Sequence, residues 1–276
     1  MNKKKVILFV SYAILILGVI SMIAPFLWMV MTSFMTDGQI FSYPPKFLPK
    51  PFIVENYQNT FHQLPVARYF YNSFIVSFLT TIGQILFASM AGFAFAKLNF
   101  KYKEPLFIII LATMMIPPQV NIIPLFYVIK ELRWIDTFQA LIIPGLFGGF
   151  GIFLMRQWFK SVPDALFEAA KIDGCNLFQA FFKIALPLAV PAIATLAIFT
   201  FILSWNSFMW PLIVTNSDSI RTLPVALASF KGSFRETVEW GQLMSCAVIT
   251  TLPAIIIFLL GQKFFIKGVM TAGVKE

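Results

Sequence analysis

The sequence predicts an all-α membrane protein, and three observations support this prediction. Of the 276 residues, 59% are hydrophobic and 12% are charged, against about 45–50% and about 25% in a typical soluble domain. Mean hydropathy is +0.82. The charged residues leave six uncharged runs of at least 19 residues, each about long enough to cross a bilayer as a helix. A water-soluble enzyme and a disordered chain are therefore excluded.

Six transmembrane helices are expected within these runs, because lipid satisfies no backbone hydrogen bond. We place the spans at approximately 6–32, 69–96, 105–129, 137–157, 188–213 and 241–265. The whole chain, residues 1–276, is expected to form a single transmembrane domain.

The first span is expected to remain uncleaved. Lys3, Lys4 and Lys5 precede an apolar stretch, as at the start of a signal peptide. This stretch continues to Thr36, and no Ala-x-Ala site closes it. The apolar region of a signal peptide is only about 7–15 residues long, so a transmembrane helix is the better interpretation.

Both termini are expected to face the cytoplasm, since six spans place them on one side. The two termini and the loops at 97–104 and 156–183 carry 13 of the 21 lysines and arginines. Cytoplasmic segments are enriched in these residues. The formal charge of +9 is therefore a topological signal and does not indicate nucleic-acid binding.

No catalytic, nucleotide-binding or metal-binding motif is found in the sequence. The chain has no Gly-Lys dipeptide, so it cannot form the phosphate-binding loop of an ATPase. His62 has no partner at metal-ligand spacing, and no metal site is predicted. Gly145, Gly148, Gly149 and Gly151 fall within the fourth span and are expected to let helices approach closely.

The uncharged runs also contain none of the ionisable groups that drive secondary carriers. No internal repeat of the kind that builds such carriers is detected in the sequence. If the protein moves a solute uphill, the energy must enter through a partner that docks on it.

The stretch between the fourth and fifth spans offers a docking element for such a partner. These residues, 160–187, are called the coupling segment below. They are too charged to enter a bilayer and too apolar for a solvated loop. We expect two short helices: Ser161 caps the first, with Pro163 and Asp164 in its opening turn, and Asp173-Gly174 ends it.

The second short helix is expected to have an apolar face made of Phe178, Phe181, Phe182, Ile184 and Ala185, and Pro187 and Pro191 then open the fifth span. Two interpretations remain open. The segment is either an interfacial helix lying on lipid headgroups or a knob that fits a groove on a partner. Helical periodicity does not separate them.

The pattern E-A-A-K-I-D-G followed by I-A-L-P resembles the EAA coupling loop in the membrane subunits of binding-protein-dependent ABC importers. The matching residues are Glu168, Ala169, Ala170, Asp173, Gly174, Ile184 and Pro187. Five further stretches resemble the carbohydrate-uptake branch of this family: PPKFLPKPFIVENY, MIPPQVNIIPLF, LSWNSFMWPLIVT, RTLPVAL and EWGQLM. The ending FFIKGVMTAGVKE resembles the smaller permease of maltose-type importers. The resemblance covers most of the chain from about residue 40 onward.

This resemblance implies the type I ABC importer permease fold and the translocation of a sugar or oligosaccharide across the bacterial cytoplasmic membrane. The implied partners are a second homologous permease, two ATPases and an extracytoplasmic solute-binding protein. ATP and Mg²⁺ would bind to the ATPases, and no cofactor to this chain. The alternatives are a permease for a non-sugar solute such as glycerol phosphate and, from other classes, a stand-alone channel or facilitator or a membrane-embedded enzyme.

The resemblance also assigns roles to residues. Glu168 would hold the loop to the ATPase, Gly174 would fix the angle between the two short helices, and Ala169 and Ala170 would permit close approach. Gly268 is expected to end the last helix and to begin a tail, 268–276. Its residues Thr271, Ala272, Gly273 and Lys275 match the tail that contacts the ATPases in maltose-type importers. A frayed terminus is the alternative.

A translocation path is predicted on two spans. The second span carries a polar stripe at helical spacing, and the fifth adds two polar residues beside Trp205 and Trp210. The six polar residues are Ser73, Ser77, Thr80, Gln84, Asn206 and Ser207. Hydroxyl and amide groups beside aromatic rings suit a sugar, but small polar residues also serve helix packing, and the other permease could supply most of the sugar contacts.

Overall fold

A computed structural model gives the fold of residues 3–232 and 239–273. Every regular element in these residues is helical. In chain order the helices are α1 (Lys3–Thr32), α2 (Asp37–Ile40), α3 (Glu55–Gln63), α4 (Val66–Lys97), α5 (Lys103–Met114), α6 (Ile122–Glu131), α7 (Phe138–Ile142), α8 (Gly149–Ser161), α9 (Ala165–Ile172), α10 (Leu177–Ala180), α11 (Leu186–Leu188), α12 (Val190–Trp205), α13 (Met209–Val214), α14 (Leu223–Gly232) and α15 (Trp240–Gly273). Short 3₁₀ turns lie at Pro118–Asn121 and Ile143–Gly145, and a π-helical turn lies at Phe181–Ala185.

The described residues contain four to six candidate membrane spans. Four helical stretches are long and apolar enough to cross a membrane: Ile7–Thr32, Val66–Lys97, Phe138–Ser161 and Trp240–Gln262. Two bent pairs meet the same criterion only when each is counted as one span: Lys103–Met114 with Pro118–Glu131, and Leu177–Leu188 with Val190–Trp205. The all-helical prediction is confirmed, and the count of six holds if both bent pairs cross.

The predicted third span, 105–129, is not one straight helix. It bends by 93° between α5 and the 3₁₀ turn before α6, and Pro117 and Pro118 lie at the break. A proline has no N–H to donate and moves the preceding residue out of the α conformation. Pro117 accordingly has a ψ of 132°.

The predicted fifth span, 188–213, is interrupted at two places. A bend of 76° precedes α12, which has Pro191 in its first turn, where a proline is tolerated. The helix ends at Trp205, and residues 206–208 separate it from α13.

The last helix continues beyond its predicted end. α15 runs through Gly268 to Gly273, so the prediction that Gly268 ends the helix is wrong. A glycine inside a helix costs only about 1 kcal/mol relative to alanine, and neighbouring helix-forming residues override it. Thr271, Ala272 and Gly273 thus belong to the end of α15, whereas Lys275 lies outside the described residues.

The chain divides into two compact units, the first comprising residues 1–67 and 226–253. No part of the apolar stretch of α1 is buried. The side-chain amide of Asn56 donates to the carbonyls of Ser33 and Met35, at 3.0 and 2.9 Å. The hydroxyls of Thr60 and Ser245 lie 2.7 Å apart in a hydrogen bond, and this buried pair joins α3 to α15.

The second unit comprises residues 68–225 and 254–276. Its core contains Ala88 and Phe93 from α4, Met155 and Phe159 from α8, Ala192 and Leu196 from α12, and Phe181, Ala185 and Ala189 from the stretch before α12. The coupling segment therefore shares a core with three of the long helices.

Close contact between α4 and α8 depends on glycine. A Cβ atom at Gly92 would lie 2.6 Å from the Cβ of Met155 and 2.8 Å from the backbone nitrogen of Arg156. An added Cβ would also meet a neighbouring side chain at each of the four glycines singled out in the fourth span: Gly145, Gly148, Gly149 and Gly151. The predicted role in close helix packing is confirmed for Gly149 and Gly151, which lie on α8.

Candidate coupling segment and polar cavity

The first helix of the coupling segment is α9, and the prediction that Ser161 caps it is wrong. Ser161 is the last residue of α8, and its hydroxyl donates to the carbonyl of Trp158 at 2.7 Å. α9 starts after Asp164 without a side-chain cap. The carboxylate of Asp164 instead pairs with the Lys97 ammonium at 2.6 Å, and this interaction keeps the pKa of the Asp164 carboxyl below its usual value.

Gly174 ends α9, as predicted, in the left-handed conformation with a φ of +81°. The Gly174 N–H donates to the Lys171 carbonyl at 3.1 Å, and the Cys175 N–H donates to the Ala170 carbonyl at 2.9 Å. These two bonds form a Schellman motif. No atom lies within 4 Å of the place where a Cβ at residue 174 would stand. Glycine is needed here for its backbone conformation and not for space.

Asn176 starts the second half of the segment, a feature that the sequence analysis missed. Its side-chain oxygen accepts from the Gln179 N–H at 2.9 Å, and the Gln179 side chain accepts from the Asn176 N–H at the same distance. This reciprocal pair is a capping box. The Asn-x-x-Gln spacing was the signal available in the sequence.

The predicted apolar face of the second helix is divided between two surfaces. Phe181 and Ala185 are buried, whereas Phe178 is 67% and Phe182 is 51% exposed. Ile184 is partly buried. Within the π-helical turn Phe181–Ala185, the wider winding departs from the period of 3.6 residues on which the predicted face was based.

The inward surface of the coupling segment fixes it to α4. The rings of Phe167 and Phe181 pack on Phe93, with centroid distances of 5.6 and 5.4 Å. Ala170 is only 5% exposed, so of the two alanines expected to permit close approach, only Ala169 is accessible.

The outward surface of the coupling segment combines apolar area with charge. Five apolar side chains are each at least 45% exposed: Leu166, Ile172, Leu177, Phe178 and Phe182. Glu168 and Asp173 are exposed beside them, and so is Pro187. An exposed apolar patch bordered by polar residues is typical of a contact with another protein or with a membrane surface.

Lys97, the last residue of α4, holds the start of the coupling segment. Its ammonium donates to the Val162 carbonyl at 2.5 Å and to Asp164, and lies 5.2 Å from the centre of the Phe167 ring. The Lys97 side chain is only 7% exposed. In the sequence, this lysine is recognisable only as a topological charge.

Arg156 joins the ends of three helices next to the coupling segment. From α8, it donates to both carboxylate oxygens of Glu104 on α5, at 2.7 and 2.9 Å, and to the Phe95 carbonyl on α4, at 3.2 Å. Its guanidinium also lies 3.8 Å from the centre of the Phe107 ring. Because a planar guanidinium binds a carboxylate and an aromatic face in fixed geometry, Arg156 sets the relative position of these helix ends.

A cavity of about 470 Å³ lies in the second unit. Four of the six residues predicted for a translocation path line it, namely Ser73, Thr80, Gln84 and Ser207, together with Trp205 and Trp210. Ser77 and Asn206 do not line the cavity. Its wall also includes five polar residues that the sequence analysis missed: Gln119, Asn121, Thr200, Ser204 and Thr222.

The polar groups of this wall differ in their hydrogen bonding. Gln84 accepts a hydrogen bond from Thr200, and the Ser73 oxygen accepts from the Leu223 N–H at 2.8 Å. The hydroxyls of Thr80 and Thr222 have no partner in the described part of the chain, although these residues are only 5% and 4% exposed. Within the same residues, no group of His, Cys, Asp and Glu side chains is arranged to hold a metal ion.

Comparison with known proteins identifies relatives over nearly the whole chain. The permease protein UgpE of the sn-glycerol-3-phosphate transport system of Yersinia enterocolitica is 30% identical over 265 residues, covering 94% of both chains. The permease protein AraQ of the arabinooligosaccharides transport system of Bacillus subtilis is 36% identical over 228 residues, covering 82% of this chain and 80% of AraQ.

A similar fold occurs in a bacterial ABC transporter involved in the import of the acidic polysaccharide alginate. One chain of its crystal structure matches with a TM-score of 0.87 and 21% identity, covering 96% of this chain and 98% of that chain. Residues 84–271 match the model of a transport family described as the inner membrane component of binding-protein-dependent transport systems. The chain therefore has the fold of an ABC importer permease and belongs to this family of inner membrane transport components, which are not enzymes.

Proposed function

We propose that this chain is the smaller permease of an ATP-driven importer that carries a sugar or oligosaccharide across the bacterial cytoplasmic membrane. The two surfaces of the coupling segment are the observation that carries the proposal. One surface is fixed to α4 through Lys97 and Phe93, and the other exposes apolar side chains beside Glu168. A segment built in this way can pass the movement of a docked partner to the membrane helices.

The proposed partners are a second homologous permease, two ATPases and an extracytoplasmic solute-binding protein. ATP and Mg²⁺ bind to the ATPases, and this chain binds no cofactor. The distribution of lysine and arginine supports an arrangement in which both termini and the coupling segment face the cytoplasm. The similarity to the arabinooligosaccharide permease supports a saccharide as the solute.

In the proposed mechanism, closure of the ATPases around ATP moves the docked coupling segment, and α4 carries this movement to the cavity. Glu168 offers its charge to a basic residue of the ATPase, with Ala169 and Asp173 beside it. The end of α15 and the residues after it, including Thr271, Ala272, Gly273 and Lys275, form a second contact with the ATPases.

The second candidate function is transport of glycerol phosphate, which the similarity to UgpE favours. Membership of a family of binding-protein-dependent components counts against a stand-alone channel or facilitator. It also counts against a membrane-embedded enzyme.

Reconstitution of the complete transporter in proteoliposomes tests the proposal. We expect neutral oligosaccharides to accumulate against their gradient only when the ATPases have ATP and the loaded binding protein is present on the opposite side. Equal uptake without ATP, or accumulation by this chain alone, would contradict an ATP-driven permease. Accumulation of sn-glycerol 3-phosphate in place of every oligosaccharide would support the second candidate.

Replacing Lys97 by methionine is expected to lower the amount of solute imported per ATP about three- to tenfold. Methionine keeps an apolar stem but leaves the Val162 carbonyl without its donor, a loss of about 1 kcal/mol. It also leaves the exposed Asp164 carboxylate without its cation. The transporter should still assemble, because the aromatic contacts of Phe93 remain. Lys97→Arg, which retains a donor, is the control. An unchanged ratio of transport to hydrolysis in the methionine variant would show that Lys97 does not position the coupling segment.

A further inference from the structure

The cavity of the second unit carries an inference about the class of solute. We infer that it binds a neutral, polyhydroxylated part of the solute and excludes phosphate and carboxylate groups. The inference rests on the proposed function, since it assigns a ligand class to the wall of the proposed path.

The first argument is the charge of the cavity wall. None of the residues of the described chain that line the cavity is Asp, Glu, Lys, Arg or His. The neighbouring ions Asp218 and Arg221 lie outside the wall and pair with each other at 2.6 Å, while Asp218 also accepts from Tyr69 at 2.8 Å. An anion in this cavity would lose hydration without gaining a cation, which is strongly unfavourable.

The second argument is the pair of unpartnered hydroxyls. Thr80 on α4 and Thr222 before α14 are buried in the wall, and neither hydroxyl has a hydrogen-bond partner within the described residues. A buried polar group without a partner is costly, and a ligand recovers this cost once the threonine side chain rotates its hydroxyl from the interior of the wall into the cavity. A sugar hydroxyl both donates and accepts, so it can satisfy a threonine hydroxyl and an amide such as that of Gln84.

The third argument is the aromatic part of the wall. The indole N–H of Trp210 donates to the Ala140 carbonyl at 2.9 Å, which fixes the ring in place. Trp205 is only 1% exposed and stacks on Phe201, with ring centres 5.8 Å apart. Trp210 is therefore the more accessible of the two rings, and its apolar surface suits the C–H face of a sugar ring. The volume of the cavity is within the range of small-molecule sites, about 300–1,000 Å³.

Saturation-transfer NMR on the assembled transporter in nanodiscs, without its binding protein, tests the inference. The probes are maltotetraose, a mannuronate tetrasaccharide of equal length, and sn-glycerol 3-phosphate. We expect maltotetraose to bind at least about tenfold more tightly than either anion, because each anion would enter a cavity wall without a cation.

Two valine variants test whether maltotetraose binds in this cavity. Thr80→Val and Thr222→Val remove a hydroxyl at nearly constant shape, and each is expected to weaken maltotetraose binding about three- to tenfold. Thr80→Ser should retain most of the affinity. Ser77→Ala is the matched control, because Ser77 is a buried residue of the same helix with an unpartnered hydroxyl that does not line the cavity.

Equal binding of the anions, or unchanged affinity in both valine variants, would overturn the inference. These outcomes are distinct from failure of the proposed function. If the transporter accumulates oligosaccharides with ATP but its affinity for maltotetraose is unchanged in the Thr80 and Thr222 variants, the proposed function stands. Only the assignment of the binding site to this cavity is then wrong.

Discussion

Replacing Gly174 by proline is expected to abolish ATP-dependent solute uptake while the permease itself remains in the membrane. Proline fixes φ near −65°, whereas Gly174 has a φ of +81°. The substitution also removes the N–H that donates to the Lys171 carbonyl and disfavours the α conformation of the preceding residue. The two halves of the coupling segment would then meet at a different angle, and the exposed surface could not fit its partner.

Uptake and ATP hydrolysis, both measured in proteoliposomes, check this prediction. Hydrolysis should persist without transport, because the proposed function assigns the catalytic site for ATP to the partner ATPase. Gly174→Asn is the control, since asparagine tolerates the left-handed conformation. Alanine should fall between the two: its Cβ meets no atom within 4 Å, and its cost is the backbone strain of about 1–2 kcal/mol. Normal uptake by the proline variant would refute the proposed role of the segment.

Reversing the charge of Glu168 is expected to uncouple ATP hydrolysis from transport. Glu168 is exposed on α9, where its carboxylate is available to a basic residue of the ATPase. In Glu168→Lys, two cations would face each other across the interface, and such like-charge contacts cost several kcal/mol. We expect binding of the ATPase to weaken at least about a hundredfold, since each 1.4 kcal/mol corresponds to a factor of ten.

Co-purification of the ATPase with the permease, followed by the uptake assay, measures this effect. Glu168→Gln should be milder because it removes the attraction without adding repulsion. Lys101→Glu is the matched control: it makes a charge change of equal size at an exposed position between α4 and α5, outside the coupling segment. Full ATPase retention by Glu168→Lys would place the docking surface elsewhere on the chain.

The long helices could be predicted because apolar composition is sufficient to define them. α1, α4 and α15 coincide with uncharged runs whose residues favour lipid or a helical core. The bends could not be read from the same property, since the uncharged run continues across Pro117 without a break. Hydropathy gives the length of an apolar stretch but not the positions at which its helix axis bends.

Within the coupling segment, the predictable features were the local ones. Gly174 could be predicted because the left-handed conformation is tied to residue type. Ser161 was wrongly predicted to cap α9 because its side chain is of a type that often caps helices. Where α9 starts also depends on where α8 ends, and α8 continues to Ser161. Lys97 and Arg156 were missed because their hydrogen-bonding partners are 52 or more residues away in the chain, and only the folded structure brings these groups together.

The uninterrupted length of α4 has a mechanical consequence. Its 32 residues make a rod about 48 Å long, with cavity residues along its first two thirds and Lys97 at its final position. A tilt of about 10° around its midpoint would displace the two tips by about 4 Å in opposite directions. The same tilt would move Ser73, in the cavity wall, by about 2 Å in the direction opposite to Lys97, without any change in the backbone between them.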